Sequence, residues 1–129
     1  MFPKWRATDG APTTKQAGDA AEAQALQHLQ RAGLRLLERN YRTPGRGGGE
    51  IDLIMQARDG TLVFVEVRRR ASVQHGGAAA SVGETKRRRI VLAARHYLLR
   101  WAAPPPCRFD VVALDPGGLQ WLQAAFDAS

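Results

Sequence analysis

A chain of 129 residues is the size of one domain, long enough to bury one hydrophobic core, so a single domain is expected to carry the whole function. With 44 % hydrophobic and 24 % charged residues it is neither disordered nor fibrous, and a lone cysteine, Cys107, excludes an internal disulfide and a cysteine-built zinc site. The formal charge of +7 and a pI near 10.7 make phosphate polymers the first expected partner, with anionic membranes behind them.

Residues 1–12 contain Pro3, Gly10 and Pro12 without periodicity and are expected to form a loose arm, leaving 13–129 as the folded domain. Thr13 and Gln16 have capping-box spacing, which predicts a helix from about Thr14 to Ala32, stopped at Gly33. A short extended segment through Leu34, Leu36, Asn40 and Tyr41 then enters a loop, Gly45 to Gly49, expected to be flexible. The β-rich runs Glu50 to Ala57 and Thr61 to Arg69 are joined across Asp59-Gly60, a hairpin signal. After a Gly/Ala/Ser-rich stretch, Ser81 and Glu84 are expected to cap a second helix that Pro104 to Pro106 must end. Strands from Arg108 to Leu114 and Leu119 to Leu122 close the chain, giving the order α-β-β-β-α-β-β. Cys107 is expected to be a small buried hydrophobe. No apolar run approaches the roughly 18 to 20 residues of a membrane span, and the N-terminal residues lack a signal peptide's apolar stretch. A cytoplasmic protein without membrane attachment is expected.

Acids stand where a core should be. At 3.6 residues per turn, Gly18, Ala21, Ala25, Leu26 and Leu29 share a stripe, and Glu22 falls in it. Taken alone, Glu22 is as well explained by a surface arginine at the end of the core. Strand alternation puts Glu50 and Asp52 on one face with Ile51 and Leu53 on the other, and pairs Glu66 with Arg68 opposite Val65 and Val67. A solvated face or a cross-strand ion pair accounts for any one such pair. Three carboxylates together are different, because like charges 4 Å apart repel by about 4 kcal/mol at an effective dielectric near 20. A hard divalent ion relieves that repulsion. With oxygen ligands and no His or Cys cluster, Glu22, Asp52 and Glu66 point to Mg²⁺ or Mn²⁺.

On the second helix Ile90, Ala93, Ala94, Tyr97 and Trp101 form the predicted buried stripe, which Lys86 continues toward the N-terminus. Lys86, Arg87 and Arg89 at that end, with Arg70 at the end of the preceding strand, are the expected phosphate contacts of a nucleic acid. Arg88 is expected on the solvated outer face. The glycine clusters lack the Lys-Ser or Lys-Thr of a P-loop, and no Ser/His/Asp constellation stands out.

The motifs Gly49-Glu50-Ile51-Asp52-Leu53-Ile54, Phe64-Val65-Glu66-Val67-Arg68-Arg69-Arg70 and Arg108-Phe109-Asp110-Val111-Val112 resemble the YraN-type family of small bacterial proteins. Thr14-Lys15-Gln16 with Gly18-Asp19, and Gly76 to Val82, agree, so the resemblance runs from about Thr13 to Phe126. That family is similar to archaeal Holliday-junction resolvases of the restriction-endonuclease-like PD-(D/E)xK superfamily. The resemblance implies an α/β fold with a central mixed sheet flanked by helices and a metal-dependent endonuclease site. By motif, Asp52 is the metal-binding aspartate, Glu66 the acid of the E-x-K signature and Glu22 the helix-borne acid. Arg68 stands where the signature has lysine; it can stabilise negative charge but, with a pKa above about 12, cannot act as a base.

Two functions follow as expectations: a nuclease using Glu22, Asp52, Glu66 and Arg68, or a non-catalytic DNA- or RNA-binding adaptor on a nuclease scaffold. A protein-interaction module is a more remote third. DNA is expected ahead of RNA, and the resemblance suggests a symmetric homodimer.

Overall fold

The computed structural model describes residues 13–71 and 82–128. The expected N-terminal arm and the Gly/Ala/Ser-rich stretch, including the capping role assigned to Ser81, lie outside them. The elements are α1 (Thr14–Arg31), β1 (Arg35–Arg42), β2 (Glu50–Gln56), β3 (Leu62–Arg69), α2 (Glu84–Leu98), β4 (Cys107–Asp115) and β5 (Gly118–Phe126). They follow the expected order and form one five-stranded sheet, β1-β2-β3-β4-β5. Only β3 and β4 pair in parallel, which requires the long crossover that α2 supplies; the other neighbours are antiparallel.

Each helix covers its own face of the sheet. Ala21, Ala25 and Leu29 of α1 pack with Leu53, Met55, Val63, Val65, Val112 and Leu114. On the other face Ile90, Ala93, Ala94 and Tyr97 of α2 meet Ile51, Ile54, Leu62, Phe64, Phe109 and Val111. Burial on both faces explains why β3 reads as a nearly continuous apolar run rather than an alternating one. Glu66 ends that run, on the α2 face by alternation with Leu62 and Phe64.

The local signals behave as their chemistry dictates. Thr13 Oγ1 accepts the Gln16 N–H while Gln16 Oε1 accepts the Thr13 N–H, closing the capping box. At the far end Gly33 takes φ +100°, and Leu34 N–H donates to Leu29 C=O while Gly33 N–H donates to Gln30 C=O. The hairpin turns at Gly60, φ +93°, with Thr61 N–H held by Asp59 Oδ1 at 3.0 Å.

Several expectations are corrected. Helix α2 has Gly83 as its N-cap, with no side-chain cap, and Glu84 lies inside the helix paired with Arg88. It ends at Leu98, well before the prolines, because the chain tightens through Leu99 N–H to His96 C=O and Trp101 N–H to Leu98 C=O. Trp101 therefore packs on Tyr97 from a turn, not from the helix. Cys107 is exposed at the start of β4. Strand β5 runs on to Phe126, which stacks on Phe109 at 5.1 Å between centroids. In β2, Ile51 packs with Ile54 against α2 while Leu53 packs against α1, so strict alternation fails between Ile51 and Leu53.

The glycine loop is anchored rather than free at its exit. Gly49 N–H donates to Thr43 Oγ1 at 2.7 Å, and Thr43 N–H donates to Gly49 C=O at 3.0 Å. A Cβ on Gly49 would stand 2.0 Å from Arg89 C=O and 2.7 Å from Ala93 N, both backbone atoms of α2. Only glycine permits that contact, which sets the height of α2 over the start of β2. Gly49→Ala is expected to cost roughly 2 to 3 kcal/mol, as overpacking against backbone does. Urea unfolding checks this; an unchanged midpoint would show that the helix can lift freely.

Candidate active site

The site forms where β2 and β3 part. Their ladder runs from Gln56↔Leu62 only as far as Leu53↔Val65. Beyond it the Asp52 side chain takes the place of a ladder carbonyl, its Oδ2 accepting the Val67 N–H at 2.8 Å. This holds the fork open and fixes one carboxylate oxygen.

Glu66 lies beside Asp52 and is 3 % exposed. Its Oε2 stands 3.8 Å from both Arg68 Nη1 and Lys86 Nζ, while its buried Oε1 has no hydrogen-bond partner. Burial, then the Asp52 charge, push its pKa up to about 8 against the pull of Lys86 and Arg68. Glu22 reaches Asp52 from α1, at the margin of the apolar stripe rather than its centre. It is half-buried, its pKa raised by burial and Asp52 and lowered by Arg39, with Asn40 as hydrogen-bond partner. Asp52 is therefore the hinge of the acid group. Among the described residues, no three His, Cys, Asp or Glu side chains converge as a metal-holding group. Glu66 and Glu22 both bear on Asp52, one from β3 and one from α1.

The pair still fits a hard cation that keeps most of its own water, for which one or two carboxylates suffice. The buried, unpartnered Oε1 of Glu66 is the oxygen left for it.

The raised acid has a stability consequence. Above its ordinary value of 4.5, Glu66 holds its proton in the folded chain but not in the unfolded one, so stability present below about pH 4.5 is lost as pH rises toward 8. In EDTA, Glu66→Gln should therefore gain on the wild type between about pH 5 and about pH 9, by roughly 10 °C in Tm. Thermal melts at the two pH values read the difference; a constant offset would mean that Glu66 ionises normally in the fold.

The expected cations separate into three groups. Arg68 and Lys86 belong to the acid pair. Arg89 lies next to it, donating to Gly48 C=O at 3.2 Å and standing 3.4 Å from Glu50 Oε1. Arg70 and Arg87 are elsewhere. Arg70, expected on the surface, has a side chain only 7 % exposed and an ion pair with Asp115 Oδ2 at 3.2 Å, tying the end of β3 to β4. Arg87 donates from Nε to Val82 C=O and lies over the Phe126 ring, a packing position away from the acids. Arg88 is exposed as expected.

Two residues were missed. Glu50 gathers Arg42, Lys86 and Arg89 around its carboxylate, and Arg42 is its cross-strand partner. The antiparallel return of the chain through the glycine loop was the available signal for that pairing.

The third quoted motif is structural. Asp110 is fully buried in β4, where its carboxylate accepts Arg108 Nε, Trp121 Nε1 and the Ala124 N–H at a register shift between β4 and β5.

Among the described residues, no helix is long and apolar enough to cross a membrane. Among solved structures, a repair endonuclease from Pyrococcus abyssi is similar at 20 % identity and a TM-score of 0.41, over 83 % of this chain and 40 % of its own length, too distant a likeness to assign an activity. A protein of Albidiferax ferrireducens is 75 % identical over 116 residues, covering 90 % of this chain and 91 % of its own. One from Paracidovorax citrulli is 74 % identical over 116 residues, with 90 % and 86 % covered. Both are described as UPF0102 proteins, and the model of "Uncharacterised protein family UPF0102" matches residues 21–114. With that match spanning most of the folded chain, this protein belongs to family UPF0102, the YraN-type family its motifs resemble.

Proposed function

We propose that this chain binds nucleic acid and hydrolyses its phosphodiester bonds as a divalent-metal-dependent endonuclease. The observation that carries the reading is the Asp52–Glu66 pair at the strand fork, with a buried unpartnered oxygen and two cations, Arg68 and Lys86, against it. Mg²⁺ or Mn²⁺ held there would lower the pKa of a water and polarise a phosphoryl oxygen.

The chain's own residues do the rest. Asp52, fixed by the Val67 N–H, and Glu66 would hold the ion through their carboxylate oxygens, with Glu22 bearing on Asp52 from α1. Arg68, with its side chain 39 % exposed, faces outward from Glu66 and is placed to stabilise charge building on the phosphorus oxygens. Lys86, nearer the interior, holds Glu66 and adds a second positive charge.

The adaptor reading is supported by one specific arrangement: Arg68, not lysine, stands at the signature position beside Glu66. In that case the arginines bind phosphate and no bond is cut. DNA ahead of RNA, and a homodimer acting on paired strands, belong to the same proposal.

The test is incubation of labelled single-stranded, duplex, flap and four-way-junction DNA, and structured RNA, with Mg²⁺, Mn²⁺ or EDTA. Cutting that needs the metal supports the nuclease and names its substrate. Salt-sensitive binding with no substrate cut leaves the adaptor.

A further inference from the structure

We infer that Arg42, Lys86 and Arg89 form a binding site for a backbone phosphate of nucleic acid, and that the Glu50 carboxylate occupies it in the free protein. The inference rests on the reading above that this chain binds nucleic acid. Three cations converge on one carboxylate: Arg42 Nε lies 3.8 Å from Glu50 Oε2, and Lys86 Nζ and Arg89 Nη2 each lie 3.4 Å from Oε1. They arrive from the last residue of β1 and from two positions of α2 that are neighbours on the helix surface.

The surplus of positive charge is the first point. Glu50 neutralises one of the three cations, and only Lys86 has a second acid, Glu66, within ion-pair distance among these contacts. Fixing β1 to β2 needs one cross-strand pair, not three cations whose mutual repulsion works against the fold. A dianionic or doubly accepting group fits such a cluster better than a single carboxylate.

The distances are the second point. Tight charge-assisted hydrogen bonds between N⁺–H and an oxygen anion measure about 2.7 to 2.9 Å. All three contacts to Glu50 are longer, so the carboxylate is held loosely. Arg42 is 74 % exposed and Arg89 47 %, so these two cations face solvent, while Lys86 at 27 % is as recessed as Glu50 at 28 %. The two ion pairs made by the exposed arginines contribute little to stability, and an incoming phosphate loses little by displacing Glu50 from them.

The platform is rigid where it matters. Arg89 Nε is tied to Gly48 C=O, and Gly49 fits against the backbone of α2 between Arg89 and Ala93. Lys86 touches both Glu50 and Glu66, so a phosphate held here lies next to the acid pair. The glycine loop thus serves to place cations rather than to touch the nucleic acid itself.

The experiment is fluorescence anisotropy of a labelled DNA duplex in EDTA, where nothing is cut, titrated with wild type, Glu50→Gln and Arg42→Gln at several salt concentrations. Glu50→Gln should bind roughly tenfold more tightly at low salt, with a steeper salt dependence, because the competing anion is gone and the same cations remain. Arg42→Gln, at an exposed position with no folding risk, should bind several-fold more weakly with a shallower slope. Equal or weaker binding by Glu50→Gln, or unchanged binding by Arg42→Gln, overturns the inference. If Glu50→Gln tightens binding while no substrate is ever cut, the nuclease reading falls and this site stands. If cutting is seen and Glu50→Gln does not tighten binding, this site falls alone.

Discussion

Asp52→Asn is expected to reduce metal-dependent cleavage by roughly 10³-fold or more, the equivalent of about 4 kcal/mol of transition-state stabilisation. The substitution is informative because it separates the two jobs of this side chain. An asparagine oxygen can still accept the Val67 N–H that the Asp52 Oδ2 takes at 2.8 Å, so the fork between β2 and β3 keeps its shape. What is lost is the negative charge beside Glu66. Glu66→Gln should have a comparable effect on cleavage. Arg68→Ala should cost about 10²-fold, as removal of one group that stabilises developing charge does. Without metal, duplex binding should be unchanged or tighter in Asp52→Asn, which removes a charge that repels phosphate, and unchanged in Glu66→Gln, because Glu66 already holds its proton near neutral pH. Gel-based single-turnover cleavage, with anisotropy for binding, measures both quantities. A wild-type activity that survives Asp52→Asn within a factor of about ten would remove the acid pair from the reaction.

Asp110→Ala is expected to be the most destabilising substitution, by about 3 to 5 kcal/mol, because it leaves the Arg108 guanidinium and the Trp121 and Ala124 N–H groups facing a vacated, buried site. Against the 5 to 15 kcal/mol typical of a whole domain, that is a large fraction. Asp110→Asn should be milder but still costly, since one of its two polar ends becomes an NH₂ that points a donor at donors. Ala124 sits at φ +51°, and the bond from its N–H to Asp110 Oδ1 at 2.9 Å holds that left-handed residue in place. Urea unfolding followed by circular dichroism gives the stabilities. Cleavage per folded molecule should be unaltered, which would distinguish a residue that holds β4 to β5 from one that acts on substrate.

These two aspartates show how unevenly sequence reports function. Both interrupt apolar strands, and both belong to motifs that drew notice. Asp52 has a neighbouring acid and a strand fork beside it, whereas Asp110 is surrounded by donors on every side. Strand alternation alone gives them the same description. The difference arises from what stands opposite, which is fixed by register and by the bulge between Phe109 and Val111.

The cations show the same division. Lys86, Arg87 and Arg89 are close in sequence and were grouped as phosphate contacts. On the helix they divide: Lys86 and Arg89 both turn to Glu50, Lys86 also to Glu66 and Arg89 to the glycine loop, whereas Arg87 turns to Val82 and Phe126. Arg70 follows an exposed Arg69 and is expected among the phosphate contacts, yet Asp115 of the parallel neighbour draws it inward.

What the sequence by itself determined is local: the capping box and glycine stop of α1, the Asp59-Gly60 turn, the apolar stripe of α2, the order of elements and the acidic residues worth examining. Each depends on backbone geometry over a few residues, or on a period that repeats along one element. The tertiary structure alone decided that Glu66 and Glu22 both bear on Asp52, that Glu50 gathers three cations and that Arg70 is interior. Those outcomes depend on how far β2 and β3 stay paired and on how closely α2 settles over Gly49. Contacts between segments distant in the chain set both, and no pattern within either segment records them.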